Sequence, residues 1–250
     1  MRGQLVWLGP AGAPVDFPPP DQALNWPNGL LAAGGDLAPG RLLEAYRRGI
    51  FPWYEEGQPI LWWSPDPRAV MLPGDLHLSR RMRRVMRSGR FSASLDRDFA
   101  GVLAGCARRH APTVGTWITR EMAEAYTRLH QLGHAHSVEI YREERLAGGL
   151  YGLAVGRAFF AESMFSLVSD ASKAALAHLW AVLEAEGFAF MDCQLQTPHL
   201  ASLGARELPR REFLALVKRA TADSGRAPAL WTSPPGPVRW PGSPPGDARN

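Results

Sequence analysis

The chain has 250 residues, of which 46% are hydrophobic and 21% are charged, and its formal net charge is +4. This composition is that of an ordinary globular protein, long enough for one large domain or a domain with a small companion. No apolar run of about 18 residues occurs, and the N-terminus lacks the apolar length of a secretory signal, so neither a membrane span nor a signal peptide is expected. Cys106 and Cys193 are the only cysteines, which argues against a disulfide framework and favours a reducing cytoplasm.

Residues 1–66 are predicted to form a small N-terminal domain that leans on the rest of the chain. The first 36 residues are loop-like and contain clusters of proline and glycine. A helix is predicted over 39–48, because Pro39 suits its first turn and Gly49 can end it. The aromatic segment IFPWYEEGQPILWWSPDPR follows and indicates irregular structure with a short strand.

Residues 67–223 are predicted to form the main, catalytic domain, which begins with helices. Capping residues and the helical spacing of apolar side chains place three helices at about 80–88, 97–108 and 120–132. The first is unusual, because the segment 78–90 holds six arginines and no acid.

Arg80, Arg84 and Arg87 follow one another at i, i+4 and i+7, and they share one face of that helix. Like charges at this spacing destabilise a helix by about 0.2–0.5 kcal/mol per pair. This cost suggests that the arginines serve to bind a polyanionic partner. Charge placement therefore favours a nucleic acid partner over a merely solvated helix face.

The second half of the main domain changes to a strand-like texture. Runs separated by turn-sized gaps predict a meander of three strands at 136–142, 146–155 and 158–165. The elements predicted after it are a helix over 171–186 capped by Ser169 or Asp170, a strand over 188–194, and helices opening at Pro198 and covering 210–220. This order is α+β and resembles the acetyltransferase-like (acyl-CoA N-acyltransferase-like) fold. The segment 224–250 is rich in proline and glycine and is predicted to be a disordered tail.

The strand FAFMDCQ at 188–194 ends in polar residues that are candidates for a site. Strand parity places Asp192 and Gln194 on one face and turns Cys193 to the other. In AFFAESMF, the same parity groups Phe160, Glu162 and Met164. Two carboxylates and an amide thus converge on one apolar pocket. We favour this interpretation over the alternative that Asp192 caps a helix while Glu162 pairs with a surface arginine.

Other patterns in the sequence do not complete a site. The HAH triplet at 134–136 has metal-like spacing but too few further ligands, so no metal is expected. GGLYGLAVG lies in a strand-like run without a following helix, so it is not a phosphate loop. Aromatic segments at 51–54, 62–63 and 116–119 suit either base stacking or core packing, and the sequence leaves both open.

Longer motifs resemble one known family. They read PNGLLAAGGDL, AYRRGIFPWY, PILWWSPDPRAV, GTWITREMAEAYTRLHQLGHAHSVE, LAGGLYGLAVGRAFFAESMFS, DASKAAL, DCQ and HLASLGARELPRREF. Together, over roughly residues 17–220, they resemble the leucyl/phenylalanyl-tRNA–protein transferases, a family of bacterial aminoacyl transferases.

The resemblance implies that leucine or phenylalanine, with methionine as a third candidate, moves from aminoacyl-tRNA to the N-terminal arginine or lysine of a protein. The product is marked for N-degron-dependent degradation. For catalysis and acceptor binding, the resemblance points to Asp192, Gln194 and Glu162. For the aminoacyl-adenosine, it points to Trp53, Trp117, Met164 and Met191. For the tRNA acceptor stem, it points to Arg80, Arg84 and Arg87.

Aminoacyl esters are already activated, so no ATP, metal or other cofactor is expected, and we expect a monomer. The attacking α-amine has a pKa of about 7.7–8.0 and is partly neutral at cytoplasmic pH. Positioning, which can lower the barrier by roughly 7–11 kcal/mol, should therefore outweigh a base that contributes about 10²–10⁴-fold. Asp192 would hold and help to deprotonate the amine, Gln194 would orient the reacting groups, and Glu162 would favour a cationic acceptor.

Two alternatives remain open from the sequence. A coenzyme A-dependent N-acyltransferase on the same fold would bind acetyl-CoA and need no tRNA. A non-catalytic RNA-binding protein would bind tRNA regardless of the attached amino acid, and its carboxylates would be structural.

Overall fold

Two β-sheets, one of four strands and one of eight, organise the residues that the structure describes. The computed structural model describes residues 5–10, 12, 16–110, 117–222, 231 and 233–239.

The four-stranded sheet belongs to the N-terminal part of the chain. Its spatial order is β1, β2, β4, β3, with bounds β1 (Val6–Leu8), β2 (Leu30–Gly34), β3 (Phe51–Pro52) and β4 (Leu61–Trp63). A short 3-10 helix (Pro20–Gln22) precedes β2, and helix α1 (Pro39–Arg47) connects β2 to β3. Trp62 is fully buried against Phe17, and its Nε1 donates to the carbonyl oxygen of Gly34 at 2.9 Å. These aromatic side chains fill the core of this unit.

The eight-stranded sheet carries the main domain. Its spatial order is β11 (Arg206–Leu208), β5 (Arg68–Met71), β10 (Phe190–Gln194), β9 (Ala158–Ser166), β8 (Arg145–Val155), β7 (Ala135–Arg142), β6 (Ser92–Leu95) and β12 (Ser233–Pro237). β7, β8 and β9 form the predicted meander, while β10 returns parallel to β9. The predicted α+β fold, with an acetyltransferase-like main domain, is confirmed.

Helices cover both faces of this sheet. They are α2 (Arg80–Arg87), α3 (Phe99–His110), α4 (Arg120–Gln131), α5 (Ala171–Ala185), α6 (Pro198–Ser202) and α7 (Arg210–Thr221). Apolar side chains of α1, α3, α4 and α7 pack into one buried cluster, and those of α2 and α5 pack into another on the opposite face. The predicted helix positions agree with the structure to within two residues. Ser79, Thr119 and Thr197 accept the hydrogen bonds that cap α2, α4 and α6.

The N-terminal unit and the main domain share one core. Tyr46 and Trp62 belong to the same buried cluster as Phe160, Phe190 and Phe213. β4 belongs to the four-stranded sheet and β5 to the eight-stranded sheet, and the proposed domain boundary at residue 66 lies between these two strands. The two units therefore support one another, which matters because residues from both reach the site.

The predicted cap of α5 is wrong in detail. Asp170 occupies the N-cap position but has a left-handed backbone, with φ 75°, and makes no capping hydrogen bond. Its carboxylate instead accepts a hydrogen bond from Arg81 of α2 at 2.5 Å. The arginine helix is thus tied to the start of α5 by a charge pair.

The described part of the C-terminal tail is ordered, contrary to the prediction of a wholly disordered segment. β12 pairs antiparallel with β6, and Trp231 is buried with its ring stacked 4.1 Å from that of His136. The backbone N–H of Arg239 donates to Nδ1 of His178 at 3.0 Å. The remaining tail residues, 224–230, 232 and 240–250, lie outside the described residues. The proline-rich composition did not indicate this ordered segment, because single residues rather than a periodic apolar pattern hold it against the domain.

Candidate active site

The site forms where β9 and β10 stop pairing. Their parallel register runs through three pairs, ending with Asp192 opposite Phe160. Beyond that point both strands are irregular. The pairing of β9 with β8 skips Glu162, and the pairing of β10 with β5 shifts between Asp192 and Gln194. Such bulges redirect side chains and are common beside functional sites.

The bulge at Glu162 corrects one prediction from strand parity. Phe160 packs in the buried cluster that contains Tyr46, whereas Met164 packs against the cluster on the opposite face of the sheet. An extra residue in the strand inverts the alternation that follows it. Phe160 and Met164 therefore do not share a face. β9 itself carries no glycine or proline that would have signalled the bulge, and the glycine at the register shift, Gly152, lies on the neighbouring strand β8.

A cavity of about 370 Å³ opens between the separated strands. Its apolar wall includes Leu150, Met164, Leu176, Met191 and Leu200. Its other lining includes Trp117, Glu162, Ser163, Cys193, Gln194 and His199. An apolar cavity with a few polar groups at one side is typical of a small-molecule site. The structure thus brings together five of the predicted site residues, namely Trp117, Glu162, Met164, Met191 and Gln194.

Glu162 holds its carboxylate between two tyrosine hydroxyls. Its Oε1 accepts from Tyr46 at 2.7 Å and its Oε2 accepts from Tyr126 at 2.9 Å. The two hydroxyl oxygens lie in direct contact with each other. Burial raises the pKa of Glu162 to about 7; the charge of Asp192 adds to the rise, while the tyrosine bonds and Arg68 oppose it. This carboxyl group can therefore exchange a proton near neutral pH.

Asp192 does not line the cavity, so the predicted convergence of both carboxylates on one pocket is wrong. It is fully buried, and its two oxygens accept hydrogen bonds from Nε and Nη2 of Arg68 at 2.8 and 2.7 Å. The guanidinium of Arg68 also lies 4.6 Å from the ring centroids of both Phe51 and Phe213. The sequence offered one signal for this partner, a lone arginine in the apolar strand RAVM.

Gln194 enters the cavity from a left-handed backbone, with φ 57°. Its backbone N–H donates to Oδ1 of Asp192 at 2.9 Å. Its side-chain Nε2 is buried and has no hydrogen-bond partner within the described part of the chain. The amide is therefore an unsatisfied donor on a residue that lines the cavity.

Cys193 lines the cavity too, contrary to the parity prediction that separated it from Gln194. Parity failed because the strand becomes irregular at these residues. Burial and the neighbouring Asp192 raise the pKa of the Cys193 thiol well above its usual range, so it is not poised as a nucleophile.

Trp53 does not line this cavity. It is 44% exposed, and its ring packs edge-on against Trp63 with centroids 5.6 Å apart. Trp63 also donates its Nε1 to the carbonyl oxygen of Trp53 at 2.7 Å. Trp53 is thus held by its neighbour while one part of its ring faces solvent.

The predicted tRNA-binding arginines lie on the outer face of α2. Arg80, Arg84 and Arg87 are exposed, and none has an ion-pair partner among the described residues. Arg81, by contrast, is engaged by Asp170. The helix therefore presents a solvent-facing row of positive charge without neutralising acids.

The sequence missed three residues that build the site: Arg68, Tyr46 and Tyr126. Both tyrosines are buried at helical spacing with apolar neighbours, so the pattern identified them as core residues. Their hydroxyls are what distinguishes them, since a buried tyrosine hydroxyl normally finds a partner. Only the fold shows that the partner is Glu162.

No group of three or more His, Cys, Asp or Glu side chains that could hold a metal ion occurs in the described ranges. Likewise, none of the described helices is long and apolar enough to cross a membrane.

The sheet with two strands separating over an apolar cavity defines an acyltransferase-like domain. A family model described as leucyl/phenylalanyl-tRNA protein transferase matches residues 70–218, and the model of that family's N-terminal domain matches residues 35–66. The chain belongs to the leucyl/phenylalanyl-tRNA–protein transferase family and is a transferase.

Curated relatives match almost the whole chain. The leucyl/phenylalanyl-tRNA–protein transferase of Aromatoleum aromaticum is 57% identical over 237 residues, which is 94% of either chain. That of an Azoarcus species is 58% identical over 228 residues, covering 91% of this chain and 95% of the relative. Among solved structures, a GCN5-related N-acetyltransferase from Kribbella flavida aligns with a TM-score of 0.34 at 12% identity, covering 72% of this chain and 63% of that one.

Proposed function

We propose that this protein transfers leucine or phenylalanine from aminoacyl-tRNA to the N-terminal arginine or lysine of acceptor proteins. The product would enter N-degron-dependent degradation in the cytoplasm. The observation that carries the proposal is the apolar cavity with Glu162 and the free amide of Gln194 in its wall. No cofactor is needed, because the ester bond of aminoacyl-tRNA is already activated.

The apolar wall of the cavity suits the side chain that is transferred. Met164 and Met191 adapt to both a branched and an aromatic side chain, since the thioether side chain is flexible and polarisable. Burying a leucine or phenylalanine side chain contributes roughly 1.5–3 kcal/mol, which is enough to select apolar amino acids over polar ones. Trp117, in the cavity lining, and the half-exposed Trp53 are the candidates for stacking on the terminal adenosine.

The polar wall suits the reaction of an amine with an ester. The α-amine nitrogen forms a bond to the ester carbonyl carbon, and the bond from that carbon to the ribose oxygen of tRNA breaks. Glu162 accepts the proton that the amine loses and returns a proton to the ribose oxygen, which leaves as a hydroxyl. Gln194 donates its free N–H to orient the carbonyl oxygen. Asp192 acts indirectly, because its oxygens are engaged by Arg68 and the backbone of Gln194.

The exposed arginines of α2 suit the acceptor stem of tRNA. Arg80, Arg84 and Arg87 are unpaired within the described structure, and the guanidinium group matches phosphate geometry.

The start of α5 speaks against coenzyme A as the acyl carrier. A helix N-terminus is a usual place for phosphate, because its free N–H groups and dipole attract anions. Here the carboxylate of Asp170 already occupies the N-cap position and pairs with Arg81. A pyrophosphate would meet a like charge there.

The test is a transfer assay with labelled Leu-tRNA and Phe-tRNA and a peptide that begins with arginine. Label should move to the peptide, and a matched peptide that begins with glutamate should remain unlabelled. Acetyl-CoA replaces the aminoacyl-tRNA in a parallel reaction. Acetylation without aminoacyl transfer, or tRNA binding without any transfer, would refute the proposed function.

A further inference from the structure

We propose that Arg68 is a positioning residue for the transfer reaction, setting the place of Gln194 in the cavity through Asp192. The inference rests on the proposed function, since the position of Gln194 matters only if Gln194 takes part in transfer.

Arg68 has further contacts beyond its two hydrogen bonds to Asp192, and these contacts also restrict its side chain. It is fully buried, and its Nη1 donates to the carbonyl oxygen of Gly49 at 3.3 Å while Nε and Nη2 hold the carboxylate. The rings of Phe51 and Phe213 flank the guanidinium. A planar group held by a carbonyl, two rings and a carboxylate has a single orientation.

The orientation of the Asp192 carboxylate affects Gln194 directly, because the two residues share a hydrogen bond. One oxygen, Oδ1, accepts both from Nε of Arg68 at 2.8 Å and from the backbone N–H of Gln194 at 2.9 Å. Gln194 has a left-handed backbone, which is disfavoured by roughly 1–2 kcal/mol for a residue other than glycine. Without Arg68 the carboxyl torsion has a broad minimum, so the hydrogen bond that holds this backbone would lose its direction.

A shift of this backbone would displace the side-chain amide of Gln194. Gln194 lines the cavity, and its buried Nε2 has no hydrogen-bond partner among the described residues. No hydrogen bond within the described structure thus holds this nitrogen, so its place depends on the backbone that carries it. A displacement of about 1 Å at a catalytic group can lower a rate by about 10²-fold. A purely structural Arg68 would instead lower stability and leave the chemistry of the folded protein unchanged.

A rate cycle between Arg68→Lys and Gln194→Ala distinguishes these roles. Lysine keeps the charge but cannot bond both oxygens with one planar group. Single-turnover transfer of leucine to an arginine peptide should fall by about 10²-fold in Arg68→Lys. If Arg68 acts through Gln194, adding Arg68→Lys to Gln194→Ala should slow transfer by no more than about threefold beyond Gln194→Ala alone. Leu-tRNA affinity should stay unchanged in all three variants.

The control is Arg206→Lys, since Arg206 makes the same two-point contact with Asp75 on the surface, at 2.9 and 2.8 Å. It should transfer at the wild-type rate. Multiplying effects of Arg68→Lys and Gln194→Ala would overturn the inference, and so would a Gln194→Ala variant that transfers at the wild-type rate. The proposed function itself would be overturned only if the wild-type protein transferred no leucine.

Should Arg68→Lys not fold, the pair is replaced together by Arg68→Met with Asp192→Leu, which leaves no buried charge unpaired. The same cycle with Gln194→Ala then applies. A folded, fast-transferring replacement would equally refute the positioning role.

Discussion

At the scale of single residues, the environment of Glu162 and its proposed role favour opposite protonation states. Its carboxylate lies in a largely apolar wall, where burial favours the protonated form, yet the proposed reaction needs the ionised form to accept a proton. The charged neighbours of this group are Asp192 and Arg68, and its other titratable neighbours are Tyr46, Tyr126 and Tyr151. The two tyrosine hydroxyls that donate to it keep the ionised form accessible near pH 7.

Glu162→Gln should abolish most transfer and stabilise the protein at pH 8. The pKa of Glu162 is about 7 in the folded chain against an ordinary value of 4.5. A raised pKa contributes stability that is complete below pH 4.5 and disappears as the pH rises through about 7. Thermal unfolding of wild type should therefore show this loss, and Glu162→Gln should not. A variant that transfers normally would remove Glu162 from the proposed chemistry.

The residues of the cavity were only partly predictable from sequence. Glu162, Gln194, Met164 and Met191 could be singled out because their polar or apolar character stood out in strands. Arg68 could not be assigned, because its partner Asp192 is 124 positions away. Contacts of that separation depend on how the strands are ordered, which local pattern does not specify.

At the scale of elements, the two bulges matter more than the strands that contain them. Uninterrupted alternation would have put Met164 on the face of Phe160, away from the cavity that it lines. The predicted helices agree closely with the structure because caps and periodicity are local. The bulges were missed because they depend on pairing with neighbouring strands.

The arginine helix should account for much of the salt dependence of tRNA binding. Replacing Arg80, Arg84 and Arg87 by alanine should weaken binding and reduce the log–log salt slope by roughly 0.7–0.9 for each phosphate that is no longer neutralised. The measurement is tRNA affinity at several salt concentrations. A control removes two arginines, Arg120 and Arg128, from α4, where Glu124 lies beside Arg120. Equal changes of slope per arginine removed would show that α2 is an ordinary solvated helix.

At the scale of the whole molecule, the C-terminal segment completes the second buried cluster. Trp231 packs against Phe159 and Phe188 as well as His136, and Val238 is buried in the same cluster. A composition rich in proline and glycine hid this role. The main sheet thus uses residues from the last part of the chain to cover the β6 edge, which lowers the risk of pairing between molecules.

Trp231→Ala should destabilise the protein by about 3 kcal/mol or more, in line with other buried aromatic deletions. The control is Trp26→Ala, because Trp26 is 88% exposed. Its effect should lie within about 0.5 kcal/mol. Chemical denaturation of both variants checks this, and equal free energies of unfolding would contradict a docked tail.

His178 should make the docking of this segment sensitive to acid. Burial, with a contribution from the charge of Arg239, lowers the pKa of His178 from 6.5 to about 4. The resulting stability is present above pH 6.5 and is lost as the pH falls through about 4, with a full effect of about 3 kcal/mol. His178→Gln should lack this loss in denaturation curves between pH 7 and pH 4. An identical acid response in both proteins would argue against the neutral, hydrogen-bonded ring.

The surroundings of Arg68 also bear on when the protein can first become active during its synthesis. Its guanidinium touches Phe51 from the N-terminal sheet, Asp192 from β10 and Phe213 from α7. A ribosome-bound chain that lacks α7 would leave one face of this cation open to water and without the ring of Phe213. The surroundings of Arg68 are therefore complete only after α7 has left the ribosomal exit tunnel. A prematurely terminated chain would lack a finished site and would not modify other proteins.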